Sequence, residues 1–61
     1  MMPPPEALRH IRKYDLRMTQ GELAEALGVT RITLTKWETG STPIGNWRML
    51  SLALDSLKGR Q

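Results

Sequence analysis

The chain has 61 residues, nine Lys or Arg against six Asp or Glu, a formal charge of +3 and no cysteine. That length supports one domain burying only about 60% of its unfolded surface, so stability is marginal and self-association helps. The composition excludes a disulfide framework and a cysteine zinc site, and no apolar run reaches the ~20 residues of a membrane span.

The modest positive charge permits a polyanionic partner without demonstrating one. The opening stretch MMPPPEALRHIRK has no apolar signal core, so a cytoplasmic protein is expected. Met1 to Pro4 read as an extended, mobile tail, because consecutive prolines cannot form a helix interior. Residues 5–61 then make a single domain. Pro5 is a suitable first helical residue, since its missing N–H costs nothing there. From it a first helix is predicted to Tyr14. Leu8 and Ile11 form its inner face with Ala7 and Tyr14 beside them, and Arg9, Arg12 and Lys13 gather toward its C-terminal half, where the macrodipole favours cations. Asp15-Leu16-Arg17 read as a turn.

The next helix start is marked twice. Thr19 and Glu22 have capping-box spacing, and Met18 and Leu23 stand where a hydrophobic staple would put them. Leu23, Ala24 and Leu27 supply a buried face, and Gly28 can take a left-handed conformation to end the helix. The second helix is therefore predicted over Gln20–Leu27.

Thr30 is a second N-cap, but Ile32-Thr33-Leu34-Thr35 alternates like a half-buried strand. Nothing else in the chain resembles a strand, and a lone strand leaves its backbone groups unpaired. A helix from Arg31 to about Thr39 satisfies them locally, at a summed propensity cost of about 2 kcal/mol relative to alanine. Burial of Leu34 and Trp37 offsets that cost. Gly40 ends the helix. After a loop marked by Pro43 and Gly45, Trp47, Leu50, Ala53, Leu54 and Leu57 make a stripe at helical spacing, and the polar KGRQ closes the chain. The prediction is an all-α domain of four short helices.

Two short helices joined by a glycine-containing turn have the form of a helix-turn-helix, whose second helix can enter the major groove. On a helical wheel Leu34 and Trp37 face the core. The opposite side carries Ile32 and Lys36, flanked by Thr35 and Thr39, with Arg31 at the tip. Arg31 can bond guanine twice or hold a phosphate, Lys36 can reach either, and Ile32 matches thymine methyl groups. Thr33 and Thr35 can donate to bases or phosphates. Gln20 and Thr30 sit at helix starts, where the dipole and free N–H groups favour phosphate. Plainer readings stand beside these: Ile32 as a surface isoleucine or a protein contact, Lys36 as a solvated charge, and Gln20 as a helix-start residue only. Glu38 is read as structural, paired with a cation of the first helix, Arg12 being the first choice. His10 lacks partners for a metal site. No nucleophile–base–orienter set and no phosphate-cradling glycine loop is found, so neither an enzyme nor a cofactor is expected.

The stretch MTQGELAEALGVTRITLTKWETGSTPI resembles the helix-turn-helix of the phage-repressor and Cro-like family, often termed XRE-like. The matching pattern is TQ-x-E-LA-x-x-LG-V-T followed by a helix ending W-E-x-G, and the likeness extends over about residues 18 to 57. The resemblance implies a lambda-repressor-like fold and binding to double-stranded operator DNA, usually as a homodimer on inverted half-sites, in a bacterium or a phage-infected cell. It puts Arg31, Ile32 and Lys36 at base-reading positions, and Gln20, Thr30, Thr33, Thr39 and Ser41 at or near phosphate-contacting ones. Thr35, on the same outward side, is grouped with the base-reading residues.

Two departures stand out. The stretch from Arg12 to Met18 is one residue longer than the spacing the resemblance implies, which makes Lys13 a rival to Arg12 as the partner of Glu38, and the chain stops after the fourth helix, where many relatives have a fifth that helps dimerise. Leu52 lies opposite the Leu50/Leu54 stripe with Met49 flanking it, which suggests a two-fold contact there. The expected function is a sequence-specific DNA-binding regulator, a repressor or autoregulator. The rival is a protein-interaction module such as the antitoxin of a toxin–antitoxin pair, in which Ile32 and Leu52 meet another protein.

Overall fold

The computed structural model describes residues 2–59. Met1, at the head of the expected tail, and Arg60 and Gln61, in the closing polar stretch, lie outside the described residues. The chain forms α1 (Pro4–His10), a π-helical turn (Ile11–Leu16), α2 (Gln20–Leu27), α3 (Arg31–Thr39) and α4 (Trp47–Lys58), with no strand among the described residues. The first helix starts at Pro4, one residue before the prediction, with prolines confined to its first turn.

The boundaries of α2 and α3 follow from local chemistry. Thr19 Oγ1 accepts from the Glu22 N–H at 3.1 Å, and the Glu22 carboxylate accepts from the Thr19 N–H at 2.9 Å, completing the capping box. At the far end Gly28 adopts φ +75°, the left-handed region where a Cβ is penalised. The Val29 N–H returns to the Ala24 carbonyl and the Gly28 N–H to that of Glu25, a Schellman closure. Thr30 caps α3 by accepting from the Thr33 N–H at 3.1 Å. Gly40 at φ +80° ends that helix, and the Thr42 N–H folds back onto the Lys36 carbonyl. The coiled state of residues 31–39 resolves the strand-like alternation in favour of a helix.

Leu8, Leu16, Leu23, Ala24, Leu34 and Leu54 form the buried core, with Ile11, Met18, Leu27, Val29, Trp37, Ile44, Trp47, Leu50 and Leu57 half-buried around it. Each fully buried leucine contributes about 1.5–3 kcal/mol. The α4 stripe lies as the periodicity predicts. Its start is set by a residue outside that reading: the Asn46 side chain accepts from the Met49 N–H at 3.0 Å.

The region after His10 corrects the sequence reading. Asp15 and Leu16 are not in a turn but in the π-helical extension of α1. A wider turn, with i→i+5 hydrogen bonds, absorbs one extra residue. It turns Tyr14 off the inner face, leaving it 65% exposed, and brings Leu16 into the core at 2%. The extension closes at Arg17, which takes the left-handed conformation, φ +53° and ψ +44°, while the Arg17 and Met18 N–H groups both donate to the Arg12 carbonyl. Lys58 of α4 pairs with Asp15 at 3.3 Å, a half-exposed contact worth at most about 1 kcal/mol.

Arg17 is the one non-glycine residue at positive φ among those described. That conformation costs an L-residue roughly 1–2 kcal/mol, and glycine's greater unfolded-state freedom offsets about 0.5–1 kcal/mol of any relief. Arg17→Gly is therefore expected to raise stability by up to about 1 kcal/mol in urea unfolding, with Tm moving upward by about 4–8 °C for each kcal/mol. A fall in Tm would show that the Arg17 side chain holds this corner in place.

Candidate nucleic-acid interface

The α2–turn–α3 unit is positioned by a buried ion pair. Arg12 Nε donates to Glu38 Oε2 at 2.7 Å and Nη2 donates to Oε1 at 3.1 Å, a two-pronged contact. The two side chains are 10% and 2% exposed. Arg12 Nη1 donates to the Met18 carbonyl at 3.0 Å, so the same guanidinium also holds the entry to α2. Arg12, the first-choice partner, is therefore the residue that meets Glu38, and Lys13 is exposed. No buried side-chain nitrogen or oxygen lacks a partner among the described residues.

Gln20 extends this pair in a way the sequence reading missed. Its Nε2 donates to Glu38 Oε1 and its Oε1 accepts from Thr35 Oγ1, both at 3.3 Å. Thr35 Oγ1 lies also 2.9 Å from the Arg31 carbonyl. The first residue of α2 is thus tied to the middle of α3, and Gln20 is half-buried rather than projecting freely. Only the three-dimensional approach of the two helices reveals this link, because the residues are 15 and 18 positions apart.

The expected outward side of α3 is outward. Ile32 is 69% exposed, and Arg31 and Lys36 are exposed beside it, while Leu34 and Glu38 are buried on the opposite side. Thr35 is half-buried at the junction with α2. Thr30 and Thr33 share a hydrogen bond between hydroxyls at 2.8 Å at the head of the helix. At its tail Thr39 and Ser41 are joined hydroxyl to hydroxyl at 3.0 Å. Arg31, Ile32 and Lys36 thus share one ridge, with a hydroxyl pair at each end and Gln20 along the side facing α2. Met49 and Leu52 lie on α4, 65% and 59% exposed.

A family model for the helix-turn-helix domain of the XRE and Cro type matches residues 8–55. The chain belongs to the XRE-type helix-turn-helix family. Members of this family are DNA-binding transcription regulators, and the chain is one by that membership. Neither a curated protein nor a solved structure shows a significant match to it. The matched residues of this XRE-type domain span both partners of the ion pair and the whole π-helical turn. Among the described residues no helix is long and apolar enough to cross a membrane.

Removing one partner of a buried ion pair strands the other charge, which typically costs 3–5 kcal/mol, whereas replacing both by apolar residues is often neutral. Glu38→Ala is expected to cost about that much in urea unfolding, enough to leave a domain of this size largely unfolded. The double variant Arg12→Met/Glu38→Leu is expected to recover most of the loss. Equal destabilisation by the single and the double variant would overturn the reading of the pair as a coupled unit.

Proposed function

We propose that this regulator is a repressor or autoregulator that binds inverted-repeat operators as a homodimer, with α3 in the major groove. The observation that carries the reading is the outward ridge of α3, where a 69%-exposed isoleucine stands between two cations, Arg31 and Lys36, that pair with no carboxylate among the described residues. An isoleucine so exposed contributes little to the monomer, yet it suits the thymine methyl, the one apolar feature of the major groove. Arg31, Ile32, Thr35 and Lys36 read bases. Gln20, Thr30, Thr33, Thr39 and Ser41 contact phosphates and set the register, which supplies affinity without sequence information. Gln20 meets a phosphate while its amide stays braced on Glu38, so its contact is fixed in direction.

The homodimer uses Met49 and Leu52 of α4. Beside them an apolar groove of about 480 Å³ is lined by Leu27, Val29, Trp37, Ile44, Met49, Leu50 and Ala53, among others. The same groove favours a second reading, a protein partner of antitoxin type, with DNA binding retained or replaced. Salt separates the two. Binding through several cations collapses between low and moderate ionic strength, whereas an apolar protein contact persists.

Selection of bound duplexes from a random pool is expected to return an inverted repeat with half-sites about 10 base pairs apart, or a multiple of that. On the selected site Ile32→Ala should cost about 1–3 kcal/mol and relax preference at one or two base pairs. Gln20→Ala should weaken cognate and scrambled DNA alike. Equal loss on both duplexes for Ile32→Ala would remove its reading role. Leu52→Asp is expected to yield monomers in sedimentation at concentrations where the unsubstituted chain is dimeric.

A further inference from the structure

We infer that α1 and the π-helical turn that follows it carry a second phosphate-contacting surface, a basic groove that extends the DNA footprint beyond the helix-turn-helix. The inference rests on the DNA-binding reading and adds residues to it. A groove of about 690 Å³ runs between α1 and the C-terminal end of α3, with Arg9, His10, Lys13 and Tyr14 on one wall and Thr39 and Gly40 on the other.

Its charge balance points to an anion. Arg12 and Lys58 have carboxylate partners, but Arg9 and Lys13 have none among the described residues. They stand four residues apart on one face of the helix, a like-charge spacing that is mildly destabilising when nothing relieves it. Glu38 lines the groove, yet its oxygens are already taken by Arg12 and Gln20. Glu6, near the N-terminal end, is the remaining acidic group of the lining. Arg9 and Lys13 thus both line the groove, with no carboxylate bound to either among the described residues.

The shape suits a phosphodiester backbone. The α3 wall ends at Thr39, whose hydroxyl meets Ser41, so the groove continues from the hydroxyl corner already assigned to phosphate. Gly40 exposes backbone there, with α1 close enough that a Cβ would lie 4.0 Å from Pro5. The π-helical turn completes the wall. By turning Tyr14 away from the core it sets the ring against His10, 4.8 Å between centroids, where the phenol can donate to the same phosphates. A backbone leaving the Thr39–Ser41 corner therefore meets Arg9 and then Lys13.

The test is the salt dependence of binding to the selected duplex. Each phosphate contact removed lowers the magnitude of the slope of log affinity against log salt by about one. Arg9→Gln/Lys13→Gln is expected to make the slope shallower by about two per protomer and to weaken cognate and scrambled DNA equally. Arg48→Gln, an exposed cation of α4 away from the groove, should leave the slope unchanged. An unchanged slope in the double variant, or an equal change in the Arg48 variant, overturns the groove. Ethylation interference with the unsubstituted protein provides a readout independent of any variant. Interference is expected at one or two phosphates beyond those facing α3, and interference confined to the phosphates at α3 overturns the inference. If the unsubstituted protein selects no duplex, the DNA reading itself falls, a result distinct from binding with an unchanged slope.

Discussion

The Arg12–Glu38 ion pair is the constraint on which the other features depend. Within it a single residue, Arg12, touches α3, the approach to α2 and, through its own backbone, the end of the first helix. Its guanidinium donates twice to Glu38 and once to the Met18 carbonyl, while its carbonyl receives the N–H groups of Arg17 and Met18. Such a pair is not a large net source of stability, because desolvation of two charges consumes most of the Coulomb attraction. Its effect is angular. Bidentate geometry fixes the direction of both side chains, so α1 and α3 meet in one arrangement and not in a family of similar ones.

That requirement explains the π-helical turn. Arg12 must face α3, Leu16 must enter the core, and Thr19 must arrive at the head of α2 in an extended conformation. A regular helix to Tyr14 would satisfy the first demand and fail the second. A wider turn meets all of them, and the strain appears at Arg17, where the helix closes through a left-handed non-glycine residue. The wider turn is confined to Ile11–Leu16, and α2 begins four residues later, at Gln20.

Which parts of this were legible in the sequence depends on the range of the interaction. The capping box of Thr19 and Glu22 and the glycine stop at Gly28 are decided within a single turn, so α2 was read to the residue. The alternating stretch in α3 was settled by elimination, since a strand needs a partner the chain does not contain. The outward placement of Ile32 then followed from helical geometry once Leu34 and Trp37 were assigned inward. Tyr14 and Leu16 were exchanged because periodicity assumes a constant turn, and a π-helical turn breaks it for a reason lying elsewhere, at Glu38 and in the core. Gln20 was read for its place at a helix start. Its bonds to Glu38 and Thr35 arise from packing between helices and leave no local mark. Asn46 stands beside the loop signals Pro43 and Gly45, and its cap acts over the same three-residue span as that of Thr19, so that helix start is local too.

The two sides of α3 divide its duties unevenly. Ile32 and Lys36 take no part in the core, so their identities are free to be set by what lies outside the monomer. Thr35 is different. Its hydroxyl is engaged with Gln20, and Gln20 with the buried carboxylate, so a change there disturbs the seam between α2 and α3 as well as the surface. Threonine and isoleucine are poor choices for an isolated helix. They are affordable here because caps at Thr30 and Gly40, burial of Leu34, and the ion pair at Glu38 hold the segment from both ends and from behind. A helix held in this way presents its outward groups already ordered, and binding then loses little further backbone freedom. The features that look costly in α3, weak helix formers and an exposed apolar side chain, are tolerated because the scaffold behind them is held from both ends and from within.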